Sequence, residues 1–154
     1  MTSIVVRIAT RAADPLPEFL NAPDARRRVD YVTVREPSPV GGGACTWQEV
    51  RNRTAIAIQL GSGMTPGEVR SLTLGQIHRD GGRSRDEPWK LALPGNGNFP
   101  AREAPMARWA GRQLAAWLAV RADQGIPGEM VFPSTRSGKA WSKAASAVSF
   151  RDVL

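Results

Sequence analysis

Few side chains in this sequence could act on a phosphate, and their order matters more than their number. The run Ser62-Gly63-Met64-Thr65-Pro66-Gly67-Glu68-Val69 is a glycine break followed by a helix start. Thr65 with Glu68 three residues on is a capping box, and Pro66 stands at the first helical position. Capping alone accounts for Thr65. Gly95-Asn96-Gly97-Asn98 is a strong turn sequence. Its Asn96 is an amide, which cannot deliver a proton near neutrality as an ammonium can. Groups able to attack or relay protons are sparse: the chain has one tyrosine (Tyr31), one histidine (His78) and one cysteine (Cys45), far apart in sequence. Gly61-Ser62-Gly63 is not a nucleophile elbow, and no Lys-Ser/Thr pair follows Gly41-Gly42-Gly43 to make a phosphate loop. Asp86 and Glu87 are adjacent and would face different ways on any regular element. A single histidine and a single cysteine leave no zinc cluster. No catalytic residue, metal ligand or cofactor site is assigned.

What remains is positive charge. The 154 residues carry 21 Lys+Arg against 14 Asp+Glu, a formal charge of +7, with only three lysines among the cations. Arginine presents a planar fork that matches phosphate oxygens, so the bias suits nucleic acid. Arg26-Arg27-Arg28 is a basic triplet that is more simply a solvated surface. One cysteine cannot form an internal disulfide, the N-terminal run Ile4-Val5-Val6 is too short for a signal peptide, and no apolar stretch spans a bilayer. A cytosolic location is expected.

The elements that must position these groups follow from periodicity and punctuation. Residues 1–45 read as an irregular segment, with strand-like Ser3 to Ile8 and Tyr31 to Val34 and a glycine hinge at 41–43. From Thr46 the chain becomes regular. Thr46-Trp47-Gln48-Glu49 is a second capping box, opening a helix through about Leu60. Trp47, Val50, Thr54, Ala57 and Ile58 share one face, widened by Ile56 and Leu60, as expected of a buried central helix. After the Thr65 helix start, Val69 and Leu72 point inward. Gln76–Arg79, Trp89–Leu93 and Arg102–Pro105 read as three short antiparallel strands. Met106 to Ala122 is amphipathic, with Met106, Trp109, Ala110, Leu114, Trp117 and Leu118 on the core face. Val131-Phe132-Pro133-Ser134 and the basic turn Arg136-Ser137-Gly138-Lys139 lead to a last helix from Lys143, with Ser142 as its cap.

This order of helix, glycine break, capped helix, small sheet, helix and Phe-Pro-Ser element resembles the catalytic core of tyrosine recombinases and phage integrases. In that family the glycine break reads Thr-Gly-Leu-Arg-x-x-Glu-Leu, with the arginine on the scissile phosphate; here Thr65 stands at the arginine position. The family's second sheet turn reads Gly-Lys-Gly-x-x-x-Arg-x-x-Pro-Leu, with a general-acid lysine. Here Asn96 replaces the lysine, while Arg102 and the Pro105-Met106 exit are retained after one extra turn residue. The His-x-x-Arg helix and downstream tyrosine nucleophile have no counterpart, and the match runs from about Thr46 to Val148. The resemblance implies a mainly helical α+β fold around a three-stranded antiparallel sheet. It also implies division into an irregular segment 1–45 and a degenerate, truncated catalytic core over 46–154. Duplex DNA is the implied partner, with a full-length recombinase or a second copy of the chain as protein partners. The expected function is DNA binding in a recombination or integration setting without independent strand cleavage. The alternative is a protein-interaction module whose basic face is incidental. Candidate DNA contacts are Arg102, Arg136, Lys139 and Lys143.

Overall fold

A computed structural model describes residues 46–81, 87–95, 97–98 and 100–153, with positions 23, 26 and 27 besides. The readings that concern Tyr31, Arg28, the strand-like segments of 1–45, Cys45, Asp86 and Asn96 fall outside these residues. Arg26 and Arg27 are exposed and helical.

Helix α1 (Trp47–Ser62) starts at Thr46, whose hydroxyl accepts from the Glu49 N–H at 3.2 Å while the Glu49 carboxylate accepts from the Thr46 N–H. It stops at Gly63, whose left-handed backbone (φ 72°) lets the Gly63 N–H donate to the Gln59 carbonyl; such a conformation is cheap only for glycine. Helix α2 (Pro66–Ser71) repeats the device, with Thr65 as cap and Glu68 as reciprocal acceptor. Val69 and Leu72 are fully buried, as their spacing predicts. A single 3-10 turn (Leu74–Gln76) then leads into the sheet.

Strands β1 (Ile77–His78), β2 (Lys90–Leu93) and β3 (Arg102–Pro105) pair antiparallel in the order β1-β2-β3. Register sets Leu91 opposite Ala104 and Leu93 opposite Arg102. Leu91, Leu93 and Ala104 face the core, whereas Lys90 and Glu103 meet diagonally on the other face at 3.0 Å. The first strand is shorter than expected, because the 3-10 turn takes Gln76.

Helix α3 (Arg108–Asp123) begins two residues after the predicted start; Met106 is nevertheless buried, in the strand exit before the helix. Its inward stripe of Ala110, Leu114 and Trp117 packs on α1. Gly61 of α1 faces Ala110 of α3, a spot with no room for a side chain on residue 61. Helix α4 (Lys143–Val153) contacts α1 and α2, and the Ala145 N–H donates to the Ser142 hydroxyl at its start. The core is continuous from Trp47 through Trp117 and Phe132 to Trp141. The aromatic stripe of α3 is therefore core and not a platform for bases. Leu60 departs from expectation: it is 46% exposed, at the outer edge of α1.

Between α3 and α4 the chain crosses the molecule with almost no regular structure, and its buried carbonyls need donors. Two buried arginines provide them. The Arg121 guanidinium donates to the carbonyls of Met130 (3.0 Å), Ile126 (3.1 Å), Pro127 (3.3 Å) and Gly128 (2.9 Å). Arg51 does the same further on, donating from Nη1 to the Pro133 and Ser134 carbonyls, each at 3.0 Å. Backbone bonds from Leu74 N–H to Glu129 O and from Val131 N–H to Leu72 O tie the same segment to the end of α2.

Candidate nucleic-acid interface

The Thr65 break, the turn residues Pro94, Gly95 and Pro100, and β3 converge. Thr65, Glu68 and Ser71 at α2, Gln76 at the end of the 3-10 turn, Pro94, Gly95 and Pro100 between β2 and β3, and Arg102 line one cleft of about 600 Å³. Thr65 and Arg102, far apart in sequence, thus share a concavity. Its electrostatics are less simple. Among the described residues the charged side chains of the lining are Glu68 and Arg102, and they pair, with Arg102 Nη2 at 2.8 and 3.1 Å from the two Glu68 oxygens. The Thr65 N–H also donates to Glu68 at 3.0 Å. Partial burial pushes the Glu68 carboxyl up, but the Thr65 N–H and the Arg102 guanidinium outweigh it and hold the group below its ordinary value. Thr65 itself acts as the helix cap.

The other candidate contacts lie elsewhere. Arg136 lines a second hollow of about 570 Å³ with Thr46, Trp47, Gln48, Ser134 and Thr135 at the start of α1. Lys139 closes the same turn, its carbonyl accepting from the Ser134 N–H at 2.7 Å. Gly138 takes a left-handed backbone there, φ 82°, and a Cβ on it would meet the Pro127 carbonyl. Lys143 opens α4. Arg136, Lys139 and Lys143 are exposed, and no ion pair joins them among the described residues. The turn and the start of α4 thus display exposed cations on a fixed frame, while Arg102 sits in a separate cleft, paired with Glu68.

Arg51 sets that frame. Besides holding the Pro133 and Ser134 carbonyls, its guanidinium lies 4.2 Å from the Trp141 ring centroid and 5.4 Å from that of Trp47, and its Nε and Nη2 donate to Asn52 Oδ1. Burial pushes it down to about 10, so it stays protonated at neutral pH, its charge met by carbonyl dipoles and ring faces instead of a carboxylate. Burial also lowers Arg121. Neither residue was among the candidates from sequence, although Trp47–Arg51 and Trp117–Arg121 share the i, i+4 spacing that brings a guanidinium onto an indole's side of a helix.

His78 is a half-buried strand residue; its carbonyl accepts from the Trp89 N–H at 3.0 Å and its partner across the sheet is Lys90. No cluster of metal-ligating side chains occurs among the described residues, and none of their helices is long and apolar enough to cross a membrane.

No family model matches the sequence, nor does any curated protein. Solved structures do match in three dimensions. XerA recombinase superposes with a TM-score of 0.64 at 14% identity, over 89% of this chain and 42% of that one. XerH site-specific recombinase matches in two complexes with its difH substrate, both at 18% identity. The post-cleavage complex on palindromic difH gives a TM-score of 0.60 over 86% of this chain and 34% of that one. The pre-cleavage complex gives 0.59 over 88% and 35%. This chain therefore spans less than half the length of the recombinases it matches. The helices and three-stranded sheet that carry Thr65, Glu68 and Arg102 have the fold of a site-specific recombinase.

Proposed function

We propose that this protein binds duplex DNA in a site-specific recombination or integration setting, as a pseudoenzyme of a mobile element that does not cleave DNA alone. The observation that carries the reading is a recombinase fold in which the cleft expected to grip a phosphate has Thr65 at the arginine position and a neutralised Arg102. XerH, which shares the fold, was crystallised on DNA. In this reading the core spans 46–154, and Arg136, Lys139 and Lys143 meet the phosphate backbone. Such contacts position a protein on a duplex without reading sequence.

Binding is tested by fluorescence anisotropy of a labelled duplex across a salt series. Three neutralised phosphates give a log–log slope of about −2.7; no binding at low salt removes the DNA reading. Cleavage is tested with a nicked suicide duplex, which traps a covalent intermediate in a competent recombinase. No trapped adduct is expected on a denaturing gel; one through Tyr31, the sole tyrosine, would refute the proposal.

A protein-partner reading has its own support. Leu60 on α1 and Val148 on α4 are 46% and 48% exposed on helices that touch each other. In this alternative the apolar pair meets a second copy or a full-length recombinase, and light scattering of the purified chain reads self-association directly.

A further inference from the structure

The Glu68–Arg102 pair has a consequence beyond the integrity of the cleft. Arg102 is the cation of the cleft among the described residues, and a carboxylate already engages its Nη2, with both Glu68 oxygens within 3.1 Å. The carboxylate takes the Nη2 donors and offsets the positive charge, so a phosphate must compete with it for that edge of the guanidinium. The Thr65 N–H holds the same carboxylate in place beside Arg102. The pair is nonetheless solvent-accessible, with the Arg102 side chain 42% and the Glu68 side chain 25% exposed. Contacts of that exposure are weak and exchangeable.

We infer that Glu68 is an internal competitor for Arg102, taking the place of a backbone phosphate and withholding the cleft between α2 and the sheet from nucleic acid. The inference rests on the DNA-binding reading above and adds to it that the bound surface is the 136–143 region alone. It also makes residue 68 a determinant of how many phosphates the protein neutralises. Removing the negative charge, not adding a positive one, is then enough to recruit the cleft.

The decisive substitution is Glu68→Gln. Glutamine serves in a capping box as glutamate does, so the start of α2 survives while the anion is lost. Binding of a labelled duplex is measured by anisotropy for the full chain, E68Q, R102A and the double variant, in a salt series from about 50 to about 200 mM. One additional phosphate contact steepens the log–log slope of E68Q by about 0.9 and enlarges its loss of affinity across that range by roughly 3.5-fold. At low salt E68Q binds tighter than the parent. R102A in the parent background leaves affinity and slope unchanged, because Arg102 is already engaged, and in the E68Q background it abolishes the gain. E68Q with the parent's slope, or a gain that survives R102A, overturns the inference and leaves the DNA reading standing. A clear weakening by R102A alone also overturns it, whether or not E68Q folds. Absence of binding by all four proteins removes both.

Discussion

Replacing Arg51 with alanine removes a buried cation, and the structure fixes the sign and scale of the result. Two carbonyls, of Pro133 and Ser134, lose their donor at 3.0 Å, at about 1–2 kcal/mol each for groups left unmet in the interior. Loss of a desolvated cation over two indole faces costs about 2 kcal/mol more, and the vacated volume beside the rings adds to it. Against these stands relief of the charge's own desolvation. The fall of the guanidinium from its ordinary value to about 10 corresponds to about 3 kcal/mol. The net is a destabilisation of about 3 kcal/mol, a large share of the 5–15 kcal/mol typical of a domain. The transition moves down by roughly 6–12 °C for a chain of this length. Arg51→Lys keeps the charge but offers no planar fork, so it loses the Nε and Nη2 bonds to Asn52, cannot stack between the indoles and costs about 2 kcal/mol. Urea titration followed by circular dichroism measures both. An alanine variant within about 0.5 kcal/mol of the parent, the scale of an ordinary surface change, refutes the claim that this guanidinium holds the crossing segment.

Four further outcomes are expected. Thr65→Ala removes the hydroxyl that accepts the Glu68 N–H and lowers stability by about 1 kcal/mol in a denaturant titration. Gly111→Ala, which would improve helix propensity in isolation, drives a Cβ into the Pro88 carbonyl and destabilises by about 1–3 kcal/mol by the same measurement. Because the folded-state value of Glu68 lies below its ordinary 4.5, its contribution is complete above that pH and drains away as pH falls through the folded-state value. Melts between neutrality and acid should therefore show a smaller acid loss for E68Q than for the parent. Alanine at Arg136, Lys139 or Lys143 should each reduce the salt slope of duplex binding by about 1, with little sequence dependence.

The helices and strands were legible because their signals are local. Two capping boxes, at Thr46 and Thr65, fixed two helix starts, and the alternation of Leu91 and Leu93 marked the central strand. The Arg102–Pro105 strand was found at its observed bounds. The shared cleft was legible only through the order of motifs, since nothing in periodicity brings Thr65 near Arg102. Less visible was anything decided by partners distant in sequence. Glu68 read as a cap because its partner three residues back is a sequence neighbour, whereas Arg102 lies 34 residues away. Arg51 and Arg121 drew no assignment, and burial of an arginine is rare unless something meets it. Here the partners are carbonyls of a segment whose path the sequence does not announce. Leu60 erred the other way: an apolar residue one position past the inward stripe looks buried on a broad face until the helix's neighbours are known.

The rings of Trp47, Trp117, Phe132, Trp141 and Phe150 follow one another at centroid separations of 6.3, 6.2, 6.5 and 5.4 Å. This aromatic relay runs from the first turn of α1 to the far end of α4. Its last link, the edge contact of Trp141 with Phe150, ties the relay to the C-terminal helix, while the Arg51 cation rests on the Trp141 face. Detachment of that helix would change the surroundings of one indole while leaving Trp117 enclosed. The protein thereby carries its own optical gauge of C-terminal docking, in which emission from Trp141 registers whether α4 is seated, with no dye attached.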